Sequence, residues 1–129
     1  MAEEVTLVTN TKRYVPVSVV GTTIVLAGAD AGNIRGSGEK VDVEWELVGA
    51  PAGQTLKIDF IEFLPADSSD QPAPVSPLST METSLSGMTK YKKTLKKLGK
   101  GELIFICKYS VEVVGSSAQK LDPVIIIEK

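Results

Sequence analysis

A two-residue hydropathy repeat is the feature that most constrains this chain. In 40–48 (KVDVEWELV), Val41, Val43, Trp45 and Leu47 fall on one side of an extended backbone, and Asp42, Glu44 and Glu46 fall on the other. A pleated strand sends successive side chains to opposite faces, so one face can meet a core while the other meets water. A helix would scatter the same residues around its circumference.

The pattern recurs along the sequence. Segments 13–20 (RYVPVSVV) and 22–27 (TTIVLA) are rich in β-branched residues and are separated by Gly21. Segment 55–64 (TLKIDFIEFL) alternates through Leu56, Ile58 and Phe60, then slips to Ile61 and Phe63, the mark of a bulge or a twisted end. Segments 101–114 and 122–128 read as two closing strands joined by GSSAQ. Residues 14–29, preceded by Lys12 and Arg13 and ending Ala27-Gly28-Ala29, have the outline of a signal peptide. Glu3 and Glu4 contradict its charge pattern, and Pro16, Ser18, Gly21, Thr22 and Thr23 break its apolar core, so two ordinary strands fit better.

Between these strands, 28–39 reads as a glycine-rich loop and 49–54 as a turn. Residues 65–88 hold four of the seven prolines and six serines with no strand period, and read as a long loop with at most a turn of helix. Residues 89–100 (TKYKKTLKKLGK) alternate poorly. Met88, Tyr91, Leu95 and Leu98 have helical spacing and Gly99 could cap the end, which suggests a short helix over 88–98. About seven to eight short strands in 129 residues predict an all-β fold, one β-sandwich domain over 1–129.

The chain contains no histidine, which removes Ser-His-Asp and Cys-His catalysis and imidazole-ligated zinc. Cys107 is the only cysteine, so no internal disulfide can form, and no N-x-[ST] sequon is present; a cytoplasmic setting is expected. A net charge of −2 gives no global attraction to nucleic acid or anionic membrane. No apolar run reaches the roughly 18 residues of a membrane span.

Two segments together resemble the cupredoxin-like family. Gly38-Glu39-Lys40-Val41-Asp42-Val43-Glu44-Trp45 resembles its G-D-x-V-x-W strand, extended by two residues. Gly101-Glu102-Leu103-Ile104-Phe105-Ile106-Cys107 resembles the G-x-Y-x-F-x-C strand that ends on the copper-ligating cysteine, and 124–127 resembles the closing strand. The resemblance covers about half the chain and implies a cupredoxin-like sandwich; an immunoglobulin-like sandwich would share part of it. A blue-copper site needs two His, one Cys and a weak axial ligand. Only Cys107 matches, and 108–123 contain neither the His nor the Met that should follow. The resemblance therefore implies the fold without the copper chemistry, and no cofactor or metal site is expected.

Several groups of residues invite a functional reading. Cys107 could ligate a soft metal with Met81 and Met88, but it also fits a buried face with Leu103, Phe105 and Tyr109. Asp42, Glu44 and Glu46 could hold a hard cation, yet they also suit the wet face of a strand, as Asp67 and Asp70 suit a loop. Gly32, Gly36, Gly38 and Lys40 lack the spacing and following helix of a phosphate loop and read as turn residues. Lys90, Lys92, Lys93, Lys96, Lys97 and Lys100 are a local concentration of charge with no acid between them. They could contact an acidic partner or bind polyanions weakly, or simply keep an apolar stripe soluble.

These readings converge on a non-catalytic structural or protein-interaction module, self-associating or part of an assembly, with no specific nucleic-acid partner. Its expected contact surfaces are the Pro/Ser loop and the lysine segment. The alternatives are a metal-binding or electron-transfer cupredoxin-like protein, which the absent histidines oppose, and a carboxylate-based hydrolase, for which no residue pair stands out.

Overall fold

The computed structural model describes residues 10–27, 32–37, 40–62 and 75–128. Nine strands follow in order: β1 (Asn10–Val20), β2 (Thr23–Leu26), β3 (Ile34–Ser37), β4 (Lys40–Leu47), β5 (Thr55–Glu62), β6 (Ser84–Met88), β7 (Lys90–Thr94), β8 (Ile104–Val114) and β9 (Val124–Glu128). They form two sheets, ordered β2-β1-β4-β7 and β3-β9-β8-β5-β6. The sheets pack face to face as a β-sandwich, and no helix occurs among the described residues. None is therefore long and apolar enough to cross a membrane.

Alternation sets the layers. Along β4 the apolar residues Val41, Val43, Trp45 and Leu47 are buried, while Asp42, Glu44 and Glu46 lie on the outer face. Val15 and Val17 of β1 and Ile24 and Leu26 of β2 extend the same inner layer. Opposite them stand Leu56, Ile58 and Phe60 of β5, Cys107, Tyr109, Val111 and Val113 of β8, and Ile125 and Ile127 of β9. Most pairings are antiparallel, but β1 runs parallel to β4 and β3 parallel to β9.

Three aromatic rings join the layers. Trp45 meets Tyr109 edge-on at 5.8 Å and Phe60 at 6.2 Å, and Phe60 lies 5.9 Å from Tyr109. The Trp45 indole donates to the Tyr109 hydroxyl at 3.3 Å, and that hydroxyl donates to the Gly32 carbonyl. Burial pushes the Tyr109 hydroxyl well above its ordinary pKa and keeps it a neutral donor. Gly32 has φ +88°, and a Cβ there would lie 2.3 Å from Leu26 Cδ1. Both its backbone conformation and its close approach thus require glycine.

The structure departs from the sequence expectations in five places. Segment 88–98 is not a helix: 90–94 form β7 and the rest is irregular. The physical reason is the register with β4, which sets Lys92 beside Glu44, Lys90 beside Glu46 and Thr94 beside Asp42. These cross-strand partners outweigh a helical spacing of only a few apolar residues. The glycine-rich loop hides β3, because four residues with Ile34 and Gly36 facing inward show too little alternation to read. Gly36 packs closely there: a Cβ would meet Val41 Cγ2 at 3.1 Å and require that side chain to shift. The serine-rich loop ends early, since Leu78 bridges Leu95 and 84–88 form β6; residues 63–74 lie outside the described residues. A β5 register shift falls between Leu56 and Lys57 against β6, Ile61 and Glu62 pair in register with β8, and Phe63, where the expected slip ends, lies outside the described residues. Finally, of the face on which Cys107 and Tyr109 are buried, Phe105 is only partly buried and Leu103 is exposed.

Truncating the ring cluster should unfold much of the population. Trp45→Ala is expected to cost about 3–5 kcal/mol, as for other buried aromatics. Tyr109→Phe keeps the ring but strands the Gly32 carbonyl and the Trp45 indole, for about 1–3 kcal/mol. Urea denaturation followed by far-UV dichroism would measure both, and a Trp45→Ala midpoint equal to the parent's would contradict the assignment.

Candidate functional site: the charged and apolar outer faces

The lysine segment is built as an edge strand and the loop after it. On β7, Lys90 Nζ lies 3.7 Å from Glu44 and 3.8 Å from Glu46, and Lys92 Nζ lies 3.9 Å from Glu44. Lys93 turns toward the sandwich edge and binds Glu82 at 2.5 Å. In the loop, Lys96 sits 3.7 Å from Glu102 and 4.5 Å above the Phe105 ring. Lys97 and Lys100 are exposed and make no ion pair among the described residues. The local excess of charge seen in sequence is thus largely matched by acids distant in sequence. Signals for Glu44 and Glu46 existed in the β4 alternation; none pointed to Glu82.

The carboxylate column is equally occupied. Asp42 accepts a 2.6 Å hydrogen bond from Thr94, and Glu46 accepts one of 2.7 Å from the Tyr14 hydroxyl. That bond raises the Tyr14 pKa, with desolvation and the charges of Glu46 and Glu44 adding to it. A cleft of about 450 Å³ opens at this end of the sheet, lined by Lys12, Tyr14, Asp42, Glu44, Lys92 and Thr94. Bases and acids alternate around it, and each acid already has a partner. No group of three or more metal-ligating Cys, Asp or Glu occurs among the described residues.

Cys107 is fully buried on β8, with Sγ 3.4 Å from the Ile61 and Lys108 carbonyl oxygens. Met81 and Met88 are exposed. Cys107 faces Glu62 and Met88 faces Leu56 along β5, six residues apart, or roughly 20 Å at the strand rise. The structure does not bring this thiol and Met88 together. Gly36 lies inside β3 rather than in a turn, while Gly38, Asp67 and Asp70 lie outside the described residues.

The outer face of the five-stranded sheet holds what the sequence reading missed. Ile106 lies beside Ile126, Lys108 beside Val124 and Ile61, and Ile104 beside Glu128. Ile61 and Ile104 are 41% and 51% exposed, and Leu103 just before β8 is 69% exposed, so this end is apolar and wet. Arg35, paired with Glu128 at 2.6 Å, rims it. The signal was present: 103–107 and 124–127 are unbroken apolar runs, the signature of strands covered on both faces.

Comparison with models of known protein families finds no match, and comparison with curated proteins likewise finds none.

The Glu82–Lys93 pair gives a titration test. The Lys93 hydrogen bond, helped by that of Thr80, lowers the Glu82 pKa. A depressed carboxylate stabilises the fold above its unfolded pKa, and the contribution is lost as pH falls through the lowered folded value. In Lys93→Gln, the Glu82 carboxyl followed by NMR should titrate closer to an ordinary glutamate. An unchanged midpoint would assign the shift to another cause.

Proposed function

We propose that this chain is a non-catalytic protein-interaction module on a copper-free, cupredoxin-like sandwich. The apolar outer face of β8 and β9 is the observation that carries the reading. Contiguous exposed apolar surface on a soluble sheet marks contact with another macromolecule. Ile61 and Ile104 are its exposed members, the half-buried Ile106, Val124 and Ile126 continue it, and Arg35, Lys108 and Glu128 are placed to form a polar rim. The occupied carboxylates and ion-paired lysines favour a scaffold over a reaction centre. Lys97 and Lys100 remain the groups best suited to weak polyanion contact.

The resemblance to cupredoxins gains support from the pairing pattern. Immunoglobulin sandwiches are built from two antiparallel sheets, whereas β1–β4 and β3–β9 run parallel here. Two of the strands that carry the resemblance, β4 and β8, contribute to the ring cluster between the sheets through Trp45 and Tyr109.

Two measurements test the reading. Replacing Ile61 and Ile104 by Lys should leave the unfolding free energy within about 1 kcal/mol of the parent's, as for exposed sites. It should abolish association, whether self-association by native mass spectrometry or retention of a partner from the source cell. A parent that neither self-associates nor retains anything the double variant loses would defeat the proposal. Copper provides the second measurement: Cu(II) added to the purified protein should give no intense blue charge-transfer band, since no imidazole is available to hold a copper–thiolate centre. A strong stoichiometric band abolished by Cys107→Ser would make the protein an electron carrier instead.

A further inference from the structure

Part of the outer edge of β7 has no backbone partner among the described residues. The Thr89 carbonyl accepts from Leu47 N–H, and Leu95 N–H donates to the Val41 carbonyl, so the backbone groups of odd-numbered residues face β4. The even-numbered residues face away. At the far end these are taken: Ser79 N–H binds the Thr94 carbonyl at 2.8 Å, and Lys96 N–H binds the Pro77 carbonyl at 2.7 Å. Beyond Ser79 the chain leaves β7. A turn closed by Met81 N–H on the Leu78 carbonyl places Met81 at φ 62°, unusual for a side chain of its size. Thr83 then pairs with Phe60 in the other sheet. No hydrogen bond from another described residue reaches the outward amides and carbonyls of Lys90 and Lys92.

A cleft of about 440 Å³ lies along this open edge, within the range of about 300–1,000 Å³ typical of ligand clefts. Its lining includes Glu82, Leu85, Met88, Lys90, Tyr91 and Lys92, with Met88 57% exposed. We propose that the Lys90–Lys92 edge of β7 docks an extended partner segment in which acidic and apolar residues alternate, added as a further strand. The inner neighbour, β4, already displays this chemistry, since Glu44 and Glu46 lie opposite Lys92 and Lys90. An added strand would repeat it on the other side. Its main chain would meet the Lys90 and Lys92 groups, its acids would flank their ammonium heads, and its apolar residues would cover Met88. A second copy of β7 is the wrong occupant, because pairing β7 with itself sets lysine against lysine.

This inference takes its biological sense from the interaction-module reading, yet it concerns a different surface and needs no native partner to test. The probe is a dye-labelled heptapeptide alternating valine and glutamate, added to the purified full chain. Saturable binding is expected, with slowed amide exchange at Lys90 and Lys92. Methylating alternate amides of the peptide should abolish binding while leaving its charge unchanged. Lys90→Gln with Lys92→Gln should weaken binding roughly tenfold through two lost cross-strand charge pairs, and Lys97→Gln with Lys100→Gln should leave it unchanged. No binding by the parent, equal binding of the methylated peptide, or exchange protection on another strand would each overturn the proposal. Equal binding of the methylated peptide would mark a charge-only polyanion surface. Concentration-dependent protection of Lys90 and Lys92 without peptide would name a second copy as the occupant and overturn it too. Exchange on the parent needs no variant, so a misfolded lysine variant would not obscure the result.

Discussion

The contact on which the other packing depends is the one between Trp45 and Tyr109. Trp45 belongs to β4 in one sheet and Tyr109 to β8 in the other, and both are almost fully buried. Large rings at the centre of a small sandwich fix the spacing of the two layers, because neighbouring side chains must fill the space those rings leave. The hydrogen-bond chain from indole to hydroxyl to the Gly32 carbonyl adds direction to that packing. It holds the connection entering β3 at one depth, where Gly32 touches Leu26 and Gly36 approaches Val41. A hydroxyl buried there without partners would cost about 1–3 kcal/mol of the packing's gain, so the ring and the glycine carbonyl act as one unit.

The outer faces follow a different rule. On the four-stranded sheet, charge is balanced across strands far apart in sequence: β4 supplies acids and β7 supplies bases at matching register. Individually such exposed pairs are weak. Their combined effect is on specificity, since a slip of one residue would turn the charged side chains inward and Tyr91 outward. The edge strand β7 carries lysines for a related reason. Charged residues discourage indiscriminate edge-to-edge pairing, and they do so selectively, rejecting basic strands and tolerating acidic ones.

Much of the sandwich was legible in the sequence because period-2 alternation records burial directly. Segments 40–48, 55–64 and 101–114 announced β4, β5 and β8, and Trp45 was readable as core from its place among Val41, Val43 and Leu47. What escaped notice was set by contacts between distant segments. Strand β7 depends on acids in β4, some fifty residues away, and so its local sequence resembled a short helix. Strand β3 is held by Tyr109 through Gly32 and by parallel pairing with β9, and four residues cannot display that need. The lysine segment was visible as a cluster, whereas its partner Glu82 was not, because only the turn at Met81 brings that residue back to Lys93.

The two sheets thus face their surroundings unequally. The outer face of β4 and β7 is polar and balanced by its own ion pairs, so association there must compete with partners already in place. The outer face of β8 and β9 carries Ile104, Ile106, Val124 and Ile126 at one end, with Arg35, Lys108 and Glu128 among them and Ser110 and Glu112 farther along β8. Apolar surface gains by leaving water without needing exact geometry, whereas an open strand edge gains only when hydrogen bonds form in register. The apolar face is therefore suited to provide area, and the β7 edge is suited to provide selectivity. One small sandwich can hold both because the alternation that buries Trp45 also decides which residues remain outside.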